Sequence, residues 1–140
     1  MSEKVLTIQQ VEFIAHRLAK KFMQWNGPIP DFSTRFPNVL ESYLSTPFQT
    51  FDGKDLFRGL IEKAAILFYL IIKNHPFQNG NKRIAVTALI VFLAHNRKWL
   101  EVDNQILYNF AVWIAASPPD FKEQALSSIN KFIRINLIQL

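Results

Sequence analysis

The chain has 140 residues, with 16 Lys+Arg against 11 Asp+Glu, a formal net charge of +5 and a sequence pI of about 9.6. Apolar residues make up 49%, too many for global disorder and enough for a core at this length, so a single domain over 1–140 is expected. Cysteine is absent, which excludes thiol catalysis, disulfides and iron–sulfur clusters, and His residues only at 16, 75 and 95 fit no His-rich structural metal site.

Thr7-Ile8-Gln9-Gln10 has capping-box form, Thr at the N-cap and Gln three residues on. It predicts a helix from Ile8 to Met23, with Ile8, Val11, Ile14, Leu18 and Phe22 at helical spacing. Gly27, Pro28 and Pro30 end it. A loop runs to Phe36, and Pro37 opens a short helix to Leu44. Thr46-Pro47-Phe48-Gln49-Thr50-Phe51 alternates polar with larger residues, and Asp52-Gly53 is a tight-turn signal, so Ser45–Gly53 reads as an extended flap or hairpin. Asp55 is expected to cap a helix over Leu56–Lys73, whose second half is apolar nearly all round and therefore buried.

Asn74–Gly80 interrupts the pattern with Pro76 and Gly80, and a second nearly all-apolar helix follows over Asn81–Asn96. The apolar runs Ala64–Ile72 and Ile84–Ala94 are shorter than the roughly 18 residues of a membrane span. The N-terminus carries no apolar signal core, so a cytoplasmic location is expected. Trp99–Val102 reads as an extended link, and Asp103 caps a helix to Ala116. Ser117-Pro118-Pro119-Asp120 has the form of another helix start, with Ser at the N-cap and Pro at the first helical position; that helix runs to Asn136. Trp25, Trp99 and Trp113 are assigned to packing, and His95 to a helix C-terminal cap. The fold expected is an all-α bundle with a central helix–loop–helix and one small β-hairpin flap.

Unusual residues concentrate in Asn74-His75-Pro76-Phe77-Gln78-Asn79-Gly80-Asn81-Lys82-Arg83. Gly80 permits backbone geometry that other residues resist. Asn81, Lys82 and Arg83 then open a buried helix, whose free N–H groups and positive dipole end form a phosphate cradle. Lys82 and Arg83 oppose that dipole, so their placement is locally unfavourable unless an anion is expected. Arg grips phosphate oxygens bidentately, and Lys acts as a point charge. His75 is the side chain here whose ordinary pKa suits proton transfer near neutral pH. A base, an anion hole and two cations are what group transfer from a nucleotide to a hydroxyl requires.

The stretch His75–Arg83 resembles the signature of the Fic/Doc (Fido) family, H-P-F-x-[D/E]-G-N-[G/K]-R. Thr46–Leu56 is similar to that family's flap, and Lys63-Ala64-Ala65 and Ile72-Lys73-Asn74 are similar to its approach to the motif in the Doc, or death-on-curing, branch. The likeness spans about Thr7 to Lys131. It implies the Fido fold and assigns His75 as the general base toward a target hydroxyl. Phe77 would anchor the loop in the core. Gly80, Asn81 and Lys82 would form the anion hole, and Arg83 would hold the terminal phosphates. Thr46, Pro47, Phe48, Gln49, Thr50, Phe51, Asp52 and Gly53 would receive the target's backbone as an added strand. The short length and Lys82, where most Fic adenylyltransferases have Gly, favour the Doc branch. There an inverted nucleotide, ATP with Mg²⁺, gives its γ-phosphate to a Ser/Thr hydroxyl. The Doc substrate is elongation factor Tu and the outcome is growth arrest.

Asn79 departs from the signature. It stands where the family has the Asp or Glu that helps hold Mg²⁺, and it offers an amide oxygen without charge; the resemblance thus implies weaker metal binding and a slower enzyme. No internal inhibitory motif of the form [S/T]-x-x-x-E-[G/N] occurs, so an antitoxin acting in trans is expected. The alternatives are AMP transfer to a protein hydroxyl and a degenerate, non-catalytic interaction protein of the same fold. A nucleic-acid-binding module rests on the pI alone. Lys20, Lys21, Lys54, Lys63, Lys73, Lys131 and Arg134 are spread along the chain and make no single basic stripe.

Overall fold

The computed structural model describes residues 7, 9, 10, 42–74 and 81–140. Four helices dominate: α1 (Gly59–Asn74), α2 (Asn81–His95), α3 (Asn104–Ala116) and α4 (Lys122–Asn136). Two small antiparallel ribbons accompany them, β1 (Thr50–Phe51) with β2 (Lys54–Asp55), and β3 (Lys98–Leu100) with β4 (Leu137–Gln139). This is the all-α bundle with a small hairpin that the sequence predicts. No helix of the described residues is long and apolar enough to cross a membrane.

The core lies on α1 and α2. Residues from Lys63 to Ile72 in α1, Leu70 excepted, and from Ile84 to Leu89 in α2 are buried. α3 contributes Leu107, Ala111 and Ile114, and α4 contributes Ala125, Ile129 and Ile133. Both sets fall at three- and four-residue steps, one stripe per helix facing the central pair. Each fully buried side chain such as Phe68 or Ile72 adds about 1.5–3 kcal/mol of transfer free energy. Phe48 has its ring near Lys63, early in α1, and near Phe92, late in α2. The two central helices therefore run antiparallel, joined by the segment 75–80.

Several local signals act as expected. The Thr7 N–H donates to Gln10 Oε1 (2.8 Å) and the Gln10 N–H to Thr7 Oγ1 (3.1 Å), the reciprocal pair of a capping box. The helix beyond Gln10, the loop to Phe36, Pro37 and Trp25 lie outside the described residues. Asp52 and Gly53 both have positive φ, 53° and 76°, the geometry of the two-residue turn that matches strand twist. Asp103 accepts the Gln105 N–H at 2.7 Å and caps α3.

Other expectations are corrected. The flap does not extend over Thr46–Gly53. Thr46–Phe48 is a 3₁₀ turn that closes the helical residues 42–45, Pro47 is buried, and the hairpin begins only at Thr50. The Thr46 hydroxyl donates to the Ser42 carbonyl at 2.7 Å, an interaction within the turn that competes with extension. Asp55 caps no helix; it ends β2 and bonds to Lys63. α1 starts at Gly59, whose φ of +79° makes the turn into the helix that a non-glycine residue resists. Glu62 reaches back there to accept the Arg58 N–H at 2.7 Å. Ser117 closes α3 instead of opening the next helix, its hydroxyl donating to the Ile114 carbonyl at 2.6 Å. Pro119 holds Pro118 extended (ψ 149°), because the residue before proline is pushed out of the helical region. α4 begins only at Lys122, after a 3₁₀ turn over Pro119–Phe121.

The expected link at Trp99–Val102 is strand β3, and its partner is the chain's last segment: Trp99 pairs with Ile138 and Leu100 with Leu137. Trp99 stands on the open side of this ribbon, and Trp113 is 56% exposed with its ring stacked on Phe110 at 5.9 Å. Neither is a core residue. His95 ends α2 exposed, and the cap there is Asn96, whose side-chain amide donates to the Phe92 carbonyl at 2.8 Å.

Candidate active site

Asn74 is the last residue of α1 and Asn81 the first of α2. The segment 75–80, and with it His75, Phe77, Asn79 and Gly80, lies outside the described residues, as do the side chains of Asn81 and Arg83. What the structure defines is the frame that carries this segment. α2 is buried from Ile84 onward, and its first turn contains no acidic residue. Lys82 sits half-buried in that turn. A cation there faces the positive end of the helix dipole at a cost of about 0.3–1 kcal/mol, and free N–H groups of the turn point the same way.

The end of α1 is tied down. The Lys73 ammonium donates to the carbonyls of Ala115 (3.3 Å) and Ser117 (2.5 Å), at the C-terminus of α3. A cation is favourable at that end of a helix dipole. The Asn74 side-chain amide donates to the Leu70 carbonyl at 3.1 Å. The last turn of α1 is thus fixed against α3 just before the motif.

The flap sits elsewhere along the pair. Phe48, at its foot, is edge-on to Phe92 with 6.3 Å between ring centroids. Phe92 lies ten residues after Lys82, which places the foot roughly 15 Å along the axis of α2 from the helix start. Among the described residues no further strand lies beside β1 and β2, and Phe51 is 75% exposed. Of the residues assigned to the flap, Thr50, Phe51, Asp52 and Gly53 are on the exposed hairpin, while Thr46, Pro47 and Phe48 belong to the turn beneath it and Gln49 joins the two.

Lys63 is the residue whose role the sequence did not disclose. It is 2% exposed, and its ammonium meets Asp55 Oδ2 at 3.1 Å and the Phe57 carbonyl at 2.6 Å. It also lies 5.7 Å from the centre of the Phe48 ring, within cation–π range. The available signal was a lysine standing at the head of the apolar run Ala64–Ile72, where a charge requires a partner. Burial raises the phenols of Tyr43 and Tyr69 above their ordinary range, so both stay neutral at physiological pH. A cleft of about 450 Å³ between α1 and α4, with Phe57, Ile66 and Leu126 in its wall, includes none of the predicted site residues.

No curated protein and no solved structure is significantly similar to the chain. The sequence model of the Fic/DOC family, whose members are in general transferases, matches residues 5–93. That span takes in the hairpin, α1, the motif segment and nearly all of α2. The bundle, the hairpin and a match over more than half of the 140 residues agree, and the chain belongs to the Fic/DOC family.

Proposed function

We propose that the protein is a Doc-like toxin of a toxin–antitoxin system. It transfers the γ-phosphate of ATP to a Ser/Thr hydroxyl of a protein target, for which elongation factor Tu is the candidate. The observation that carries the reading is Lys82, half-buried in the acid-free first turn of a buried helix that opens within the motif. Such a turn is costly alone and favourable once phosphate oxygens are bound.

In this reading His75 takes the proton of the target hydroxyl. The hydroxyl oxygen then forms the bond to the γ-phosphorus, the bond from that phosphorus to the β–γ bridging oxygen breaks, and ADP leaves. Gly80, Asn81 and Lys82 receive the phosphates, and Arg83 stabilises the charge that develops during transfer. Mg²⁺, when bound, neutralises phosphate charge. The amide oxygen of Asn79 is the protein ligand proposed for it, a weaker one than a carboxylate. The nucleotide phosphates are proposed to supply the charged oxygens that Asn79 lacks. The hairpin is the edge proposed to receive a target segment as an added strand. The cytoplasm, where ATP and the target are found, is the proposed location, and an antitoxin in trans is the proposed restraint.

The test is label transfer. The protein, Mg²⁺ and elongation factor Tu are incubated in parallel with ATP labelled at the γ- or the α-phosphate, with His75→Ala as control. Label from the γ position alone, lost in the variant, is the expected result. Label from the α position makes the protein an adenylyltransferase and refutes the kinase reading.

A further inference from the structure

We infer that Lys63 is a positioning residue that fixes the hairpin for the target, resting on the reading of the hairpin as the target's docking edge. The hairpin has little of its own to hold it. Its strands are two residues each, every residue from Gln49 to Leu56 is exposed, and an isolated two-stranded ribbon is marginal in water. Among the described residues, one ammonium reaches three points around it. Lys63 joins Asp55 at the end of β2, the Phe57 carbonyl in the link to α1, and the face of Phe48 just before β1. Both ends of the hairpin and the following link are thus tied to the same turn of α1.

The geometry suits a latch. The lysine is buried at 2% exposure, so its amine is held in one place, whereas Asp55 is 51% exposed and comes to it from the hairpin side of the contact. A methionine of similar length would fill the space of the Lys63 stem and keep the core, while removing the ammonium that bonds Asp55 and the Phe57 carbonyl. Loss of the latch therefore changes where the docking edge sits and how far it wanders, without touching the Gly80–Arg83 helix start.

The experiment compares wild type and Lys63→Met by backbone ¹⁵N relaxation and by steady-state kinetics on elongation factor Tu. Order parameters over 50–55 are expected to fall from the rigid range, about 0.85, to below about 0.6, with those of α1 and α2 unchanged. KM for the protein target is expected to rise about tenfold, while kcat and KM for ATP stay as in wild type. The double variant Lys63→Met/Asp55→Asn removes both charges, serves if the single variant folds poorly, and is expected to behave the same way. Unchanged order parameters over 50–55 overturn the latch. A loosened hairpin with unchanged KM for the target overturns its role in docking. Absence of transfer by wild type counts against the proposed function itself, and the relaxation data then still decide whether Lys63 holds the hairpin.

Discussion

α1 carries two partnered lysines ten residues apart, and they solve different problems. Lys63, near the start, is 2% exposed and has a carboxylate, a carbonyl and an aromatic face around it. Lys73, near the end, is half-buried and, among the described residues, meets carbonyls at the C-terminus of α3. The first is a charge removed from water, so it depends on its counter-charge. The second keeps access to water and draws on the negative end of a helix dipole. One helix thus fastens the hairpin at its head with a costly, specific contact, and the approach to the motif at its tail with a cheaper one.

In the proposed function, chemistry belongs to the tail of α1 and docking to its head. His75→Ala is expected to lower the transfer rate by roughly 10²–10⁴-fold, the range for loss of a general base, with the KM for target unchanged. A comparable loss of target affinity would break the division. At the head, Asp55→Asn is expected to destabilise the fold by about 2–3 kcal/mol, because it leaves a buried ammonium without its counter-charge. Lys63→Met should cost only about 1 kcal/mol, since the carboxylate left behind is half exposed and regains water. Urea unfolding checks this, and the reverse order would show that Lys63 is not held as a buried ion.

At the tail, Lys73→Met is expected to cost about 1 kcal/mol, as water reaches the released carbonyls of Ala115 and Ser117. A loss as large as that of Asp55→Asn would erase the contrast between the two anchors. The smallest effect has the opposite sign. Lys82→Gln should raise the stability of the nucleotide-free protein by about 0.3–1 kcal/mol by removing a cation from a helix N-terminus, while weakening ATP binding in the same samples. Calorimetry of both properties checks it, and a loss of stability would show that Lys82 has a structural partner.

The parts of the fold that were legible in the sequence depend on neighbours in the chain. Thr7 with Gln10, Asp52 with Gly53, and Asp103 with Gln105 each act within three residues. The two central helices were legible too, because their apolar runs leave no other place than a core. Asp55 was misread because a long-range partner, Lys63, outcompeted the local cap. Ser117 was misread because two successive prolines follow it, and the second blocks the helix that the first would open. The strand pairing of Leu100 with Leu137 joins distant segments, and nothing local in Leu137–Gln139 announces it. As for the site, the motif segment reads as chemistry from its residue types but lies outside the described residues, whereas the anchor at Lys63 is a matter of three-dimensional contacts alone.

That last pairing has a consequence in time. α1 and α2 meet across the short segment 75–80, whereas β3 and β4 must enclose residues 101–136 before they touch. A connection about six times longer raises the closure cost by about 1.5 kcal/mol on the flexible-chain scaling. That cost leads us to expect the ribbon to form after the central helices have collapsed. A contact made after the rate-limiting step slows unfolding without hastening folding, so Trp99 and Ile138, opposite one another on that ribbon, are expected to act as a kinetic clasp, setting how long the folded protein lasts more than how quickly it arises.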